Sequence, residues 1–198
     1  MTNVLILNGH HPFPSSPGHL TRAYVERATD YLTGQDAIVK CVETRTEFDL
    51  DREVENQLWA DFILVQFPVN SMGMPWSLKR YLDEVYTAGM DGRLAKGDGR
   101  SRRDPSKQYG SGGKMTDTAY MLSVTLNAPS AAFNDDTQTL FAGRSVDDLL
   151  APAHINFAFF GLQALPTFAA HDVNKNPTIE ADFTRFDQQL AKNFARLT

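Results

Sequence analysis

Chemistry is concentrated in three segments of the 198-residue chain. The first runs Asn8-Gly9-His10-His11-Pro12-Phe13-Pro14-Ser15-Ser16-Pro17-Gly18-His19-Leu20-Thr21. Its small residues let the backbone approach an anion, Ser15, Ser16 and Thr21 offer hydroxyls, and a helical pattern follows directly. A helix start presents unpaired N–H groups, so a phosphate or pyrophosphate fits here. The alternative is that the serines only cap the helix. The second segment, Phe67-Pro68-Val69-Asn70-Ser71-Met72-Gly73-Met74-Pro75-Trp76, is stiffened by proline and carries large apolar side chains suited to covering a flat aromatic ring. Met72, Met74 and above all Trp76 have the other option of packing under the next helix. The third, Thr125-Leu126-Asn127-Ala128-Pro129, offers backbone N–H groups and a side-chain amide.

Other chemistries are poorly served. Only Gly9 and Gly18 stand in the first segment, so it is not the G-x-G-x-x-G of a dinucleotide-binding turn, and Gly110-Ser111-Gly112-Gly113-Lys114 is followed by Met115 where a Walker loop needs Ser or Thr. His10 and His11 are adjacent and lack the spacing of a metal-ligand pair, so no metal is expected and a polar pocket lining is the better reading. Cys41 is the only cysteine and is expected as a small core side chain. A net charge of -5 leaves no cation excess for a nucleic-acid backbone, so small molecules are the expected partners. No apolar run approaches the roughly 20 residues of a membrane span. The N-terminus enters a strand pattern with no cleavable signal, and a cytoplasmic location is expected.

The elements that must position these segments follow from apolar spacing. Val4 to Leu7 is a short continuous apolar run of the kind that forms a parallel strand covered on both faces, and Ala37 to Val39 with Cys41 and Val42, Phe62 to Val65, Met121 to Val124 and the stretch near Leu165 to Ala170 predict four more strands. Leu20, Tyr24, Ala28 and Leu32 draw one helical stripe, and Leu78, Tyr81, Leu82, Val85 and Tyr86 draw another, with Pro75 in its first turn. Val54, Leu58 and Trp59 suggest a short helix. Leu149, Ala153, Phe157 and Phe160 predict a helix stopping at Gly161, and Phe183, Phe186, Leu190, Phe194 and Leu197 predict a closing one. Residues 88–118 carry no periodicity and form a long excursion inside one domain spanning 1–198. Alternating strands and helices predict a three-layer α/β sandwich, a five-stranded parallel sheet of order 2-1-3-4-5 with helices on both faces. In such sheets ligands sit beyond the carboxyl ends of the strands where the order reverses. The three segments all lie there.

Read together, they resemble the flavodoxin-like NAD(P)H:quinone oxidoreductases, especially the bacterial modulator of drug activity B branch. The resemblance rests on Leu58-Trp59-Ala60-Asp61, Met72-Gly73-Met74-Pro75-Trp76, Asp104-Pro105-Ser106-Lys107, Tyr109-Gly110-Ser111-Gly112-Gly113, Tyr120-Met121-Leu122-Ser123, Asn127-Ala128-Pro129 and Leu165-Pro166-Thr167-Phe168, in that order along nearly the whole chain. It implies non-covalent FAD, NAD(P)H as co-substrate, a quinone-like small-molecule acceptor, and a homodimer with active sites near the subunit interface. By position it implies flavin contacts from Ser16, Pro17, Gly18, His19, Leu20, Thr21, Arg22 and Ala23, from Val69, Asn70, Ser71 and Met72, from Tyr109, and from Thr125, Leu126, Asn127 and Ala128. Tyr109, Asn70 and Asn127 also stand as substrate-pocket candidates.

Two stretches depart from the branch. Val69-Asn70-Ser71 replaces Gly-Trp-Trp, and Leu126 replaces a tryptophan. Loss of these indoles is expected to widen or repolarise the acceptor pocket. The implied chemistry is hydride transfer through the flavin, which needs no protein nucleophile and no obligatory general acid. Arg100, Arg102, Arg103 and Lys107 serve either as an anion lure or as solvated loop charge. The alternatives are an FMN-dependent azo- or nitroreductase and a non-enzymatic flavodoxin-type electron carrier.

Overall fold

The computed structural model describes residues 1–196. Leu197, expected to end the closing helix, lies outside them. Strands β1 (Asn3–Asn8), β3 (Phe62–Pro68) and β4 (Ala119–Thr125) form the centre of a parallel sheet. Their apolar runs are buried from end to end because helices cover both faces. Strand β2 (Ile38–Glu43) is one edge, and β5 (Gln163–Ala164) and β6 (Phe168–Ala170) share the other, both pairing with β4. The order β2-β1-β3-β4-β5 reverses direction between β1 and β3, so the predicted topology holds.

Helices α1 (His19–Gly34) and α6 (Ile179–Phe194) lie on one face, where Tyr24, Ala28, Leu32, Phe186 and Leu190 pack on Val4, Ile6, Leu64 and Met121. Helices α2 (Leu50–Trp59), α3 (Trp76–Ala88), α4 (Val146–Leu149) and α5 (Ala151–Phe159) belong to the other. There Val54, Leu78, Tyr81, Val85 and Phe157 pack on Leu5, Leu7, Ile63, Val65 and Leu122.

Several local expectations change. The fifth strand is two pieces: between Tyr120↔Ala164 and Ser123↔Phe168, β4 advances three residues while the edge advances four. The extra residue falls at Leu165–Thr167, around Pro166, which has no N–H for the ladder. The helix expected through Leu149 to Phe160 breaks at Leu150, because Pro152 cannot donate to a preceding turn. Pro75 stands just before α3 as its extended N-cap residue (φ −57°, ψ 145°), not inside the first turn. Cys41 is exposed and not in the core, since β2 has a neighbour on one side only.

The 88–118 excursion is anchored at its base. Leu94, Ala95 and Met115 join the α3-side core, Lys114 N donates to Leu94 O at 2.9 Å, and Met115 N donates to Phe160 O at 3.0 Å. Gly113 is required here, because a Cβ would meet the Phe160 carbonyl carbon at 2.2 Å.

Candidate active site

The loops after β1, β3 and β4 converge on one cleft of about 870 Å³ at the carboxyl edge of the sheet. Its first wall is the β1–α1 loop. Phe13 and Ser16 exchange backbone hydrogen bonds (3.1 and 2.9 Å) across Pro14-Ser15, and Gly18 then turns the chain into α1 at φ +90°. Gly18 is the N-cap residue and no side chain caps the helix, so Ser15 and Ser16 do not serve as caps. The first amides of α1 therefore remain available at the cleft, which is the arrangement an anion needs. His10 braces this turn from below. It is 7% exposed, its Nε2 lies 3.1 Å from the Ser16 carbonyl, and its ring fills the space where a Gly18 Cβ would stand. Burial pushes the His10 imidazole below its ordinary pKa, outweighing the bond to Ser16, so the ring is held neutral.

The second wall, after β3, is a two-residue hairpin turn. Asn70 and Gly73 exchange backbone bonds (2.9 and 3.0 Å) around Ser71 (φ 47°) and Met72 (φ 65°). Both central residues are left-handed, a conformation usually given to glycine or asparagine in such turns. Val69 N donates to Thr125 O at 2.9 Å and ties this loop to β4. Beneath the cleft, outside its lining, lie two buried side chains without partners among the described residues. Gln66 and Ser123 are register partners, fully buried, and sit two residues below Pro68 and Thr125 on the α1/α6 face of the sheet. Among the described residues the Gln66 side-chain amide and the Ser123 hydroxyl have no protein partner.

The sequence-predicted residues divide by position. Ser16, Pro17, Gly18, His19, Leu20, Thr21, Ala23, Val69, Asn70, Ser71, Thr125 and Asn127 line the cleft. Met72 borders an adjoining cavity of about 460 Å³ together with Trp76, Met74 and Phe13, while Asn70 and Ser71 border both spaces. Met72 and Trp76 are 55% and 56% exposed, so neither packs under α3. The ring of Trp76 meets His11 at 4.6 Å. Four residues fall elsewhere. Leu126 is 2% exposed and both its backbone groups are bonded to residues 170 and 173, so it belongs to the core. Ala128 is outside the lining, with its carbonyl accepting from Asp172 N. Arg22 faces a separate small cleft with Arg45. Tyr109 packs on Phe159 (5.7 Å) in a third cavity, where Arg100, paired to Asp98, lies 5.2 Å over its ring.

Sequence reasoning missed the far wall of the cleft, made by Val173, Asn174, Ile179 and Phe183. The spacing of Phe183 with Phe186 and Leu190 places it in the core stripe of α6. The signal available was topological: the β6–α6 connection also leaves the carboxyl edge. Two other features lie apart from the cleft. A groove of about 780 Å³ runs along β2 and α2 and borders none of the converging loops. The run Tyr120 Oη to His154 Nδ1 (2.7 Å) and His154 Nε2 to Asp147 (3.2 Å) borders none of these cavities. Among the described residues no cluster of three or more potential metal ligands occurs, and no helix is long and apolar enough to cross a membrane.

Comparison with known proteins gives consistent likenesses. A family model described as flavodoxin-like fold matches residues 2–194. An uncharacterised protein of Schizosaccharomyces pombe is 41% identical over 187 residues, 94% of each chain. The NADPH:quinone oxidoreductase MdaB of Haemophilus influenzae is 37% identical over 192 residues, 97% of this chain and 99% of that one. Among solved structures, a putative quinone reductase from Klebsiella pneumoniae superposes with a TM-score of 0.76 at 21% identity, covering 100% of this chain and 85% of that one. An azoreductase from Bacillus anthracis gives 0.65 at 17%, covering 97% and 98%. At such identities the structural likenesses carry the fold alone.

Proposed function

The chain belongs to the flavodoxin-like fold family, and from that premise we propose that it is a cytoplasmic, homodimeric flavoenzyme that uses FAD to pass two electrons from NAD(P)H to a quinone or similar small acceptor. The observation that carries this reading is the convergence of three loops on one cleft at the point where the strand order reverses. The relative from H. influenzae, named as an NADPH:quinone oxidoreductase, supports the acceptor class.

The residues present fit the cofactor. The uncapped start of α1 and the hydroxyls of Ser16 and Thr21 suit a pyrophosphate, and the apolar strip of Leu20, Ile179 and Phe183 suits an adenine. Gln66 and Ser123 leave donors and an acceptor unmet beneath the cleft, where an ordered water would complete the set. When bound, the flavin supplies the hydride acceptor and donor. The protein's part is orientation and charge. Val69 to Ser71 and Asn127 border the cleft opposite α1, with side-chain amides at Asn70 and Asn127 able to favour negative charge on the ring. The neighbouring apolar cavity beside Trp76 and Met74 suits the nicotinamide and the acceptor in turn. The homodimer is supported by the exposed Trp76, Tyr109 and Ile155 at the rims of the two cavities on the α3/α5 side, which a second copy would border without filling. An unpaired, exposed Cys41 suits a reducing compartment.

The test is direct. Purified protein is heated, the released flavin is chromatographed, and NADPH oxidation is followed with menadione and no partner reductase. Release of FAD and steady turnover are expected. FMN would replace the cofactor assignment, and a protein that holds flavin yet oxidises no NAD(P)H would be an electron carrier.

A further inference from the structure

Two cavities run side by side along α3, beyond the cofactor cleft. The first, about 460 Å³, holds Trp76, and the second, about 300 Å³, holds Tyr109 and Asn156. Met74, Lys79 and Pro152 border both, so the two spaces meet across these three side chains. Among the described residues Lys79 is the one charged side chain bordering either cavity, and the walls around it are otherwise largely apolar. Its partner on the helix is Asp83, one turn on, which borders neither space. The two side chains are 54% and 58% exposed, so their pairing is of the weak, exchangeable surface kind. A second donor stands nearby: Asn156 Nδ2 is buried and has no hydrogen-bond partner among the described residues. The Tyr109 side chain, 66% exposed, brings a third donor to the same cavity.

An ammonium, an amide and a phenol border spaces whose walls are otherwise largely apolar and which, among the described residues, hold no carboxylate. We propose that the paired cavities select aromatic acceptors bearing an anionic substituent, such as a sulfonate, a carboxylate or an ionised phenol. The ring occupies the Trp76 cavity, and the anion reaches past Met74 to Lys79, with Asn156 and Tyr109 donating beside it. This deepens the quinone-reductase reading and rests on it for the word acceptor. Lys79 is a specificity-determining residue here. It contributes charge that discriminates between acceptors and takes no part in electron transfer.

The experiment compares 1,4-naphthoquinone-2-sulfonate with menadione, which share a ring system and differ in charge. Binding to the flavin-loaded protein is read from quenching of Trp76 fluorescence in a Trp59→Phe background, and kcat/KM is measured for both. The wild type is expected to favour the sulfonate by about threefold to fivefold, the scale of one exposed charge pair. Lys79→Met should erase that preference, Lys79→Arg should keep it, and Asp83→Asn should enlarge it by freeing the ammonium. Raising salt from about 50 to about 500 mM should shrink the preference in the wild type and leave Lys79→Met unchanged. Equal affinity for the two quinones in the wild type, or a preference that survives Lys79→Met, overturns the inference while turnover of menadione still upholds the quinone reading. Selective, Lys79-dependent binding without turnover of either quinone upholds the site and sinks the reading.

Discussion

The sharpest test of the cleft is Gly18→Ala. Gly18 stands at φ +90°, ψ 14°, and an alanine Cβ there would lie 2.5 Å from His10 Cδ2 and 2.6 Å from Nε2. Left-handed backbone costs an L-residue about 1–2 kcal/mol. The imidazole must also move, breaking its 3.1 Å contact with the Ser16 carbonyl, which adds about 1 kcal/mol. The total of about 2–3 kcal/mol lowers the Tm of a chain this size by about 5–10 °C. The same displacement re-aims the first amides of α1, so flavin affinity should fall as well. Urea denaturation of wild type, Gly18→Ala, His10→Ala and the double variant separates the two contributions. His10→Ala removes the ring clash and leaves the backbone cost, so the double variant should be more stable than the sum of the single effects by about 1 kcal/mol. A destabilisation by Gly18→Ala below about 0.5 kcal/mol, or strict additivity in the cycle, would refute the reasoning.

Three further outcomes follow from other parts of the structure. Tyr81 Oη donates to the buried Glu53 at 2.8 Å and accepts from Gln57 Nε2 at 3.1 Å. Tyr81→Phe strands both groups and should cost about 2–3 kcal/mol in chemical denaturation; because the network packs α2 on α3, flavin content should not change. Burial holds both His10 and His171 below the ordinary value of 6.5. The unfolded chain therefore binds protons first as pH falls below that value, and stability declines beneath it by at most about 1.4 kcal/mol per pH unit for each ring. Denaturation midpoints at about pH 7.5 and about pH 5.5 should show this drop, smaller in His10→Gln; an equal drop in that variant contradicts the assignment. Finally, Met72→Gly relieves a left-handed residue (φ 65°) and should raise stability by about 0.5–1 kcal/mol, whereas a lower denaturation midpoint would show that the turn is not strained.

The sheet was legible because its signal is redundant. Continuous apolar runs at Val4–Leu7 and Phe62–Val65 and the stripes on α1 and α3 each point to elements buried on one or both faces, and only a doubly wound order satisfies them all. What was lost is where proline or an edge interrupts an apolar run. Leu165–Ala170 and Leu149–Phe160 kept their composition while Pro166 and Pro152 removed a backbone donor, and composition does not register that loss. Cys41 failed for a different reason: an edge strand and a central strand can share a sequence pattern, and their neighbours decide exposure. The cleft was legible at the level of loops, since the switch-point rule fixes which strand ends face a ligand. Side-chain direction was less so, yet part of it was available. Thr125 and Leu126 are consecutive at the end of β4, and the two-residue period of a strand sends them to opposite faces. If Thr125 meets the ligand, Leu126 belongs to the core, as observed. Tyr109 offers no such rule, because its place depends on how the whole excursion returns along α3 and α5.

That alternation also separates the two departures from the quinone-reductase branch. Leu126 borders none of the three cavities, so an exchange there is absorbed by packing against the core and leaves the acceptor space unaltered. Asn70 and Ser71 stand on the border shared by the cofactor cleft and the first cavity. An indole there would present an apolar face to whatever lies between the two spaces, and the amide and hydroxyl present donors and acceptors instead. Their backbone is fixed by the Asn70–Gly73 bridge, whose hydrogen bonds are indifferent to the side chains. Cofactor binding and acceptor choice are therefore separable in this chain. Restoring tryptophan at Asn70 and Ser71 should leave affinity for the oxidised flavin close to wild type while shifting the ranking of acceptors, because the bridge that shapes the loop persists and the Asn70 amide bears on charge only in the reduced ring. A matched loss of flavin from the Asn70→Trp/Ser71→Trp protein would show that the side chains, and not the backbone, hold the cofactor.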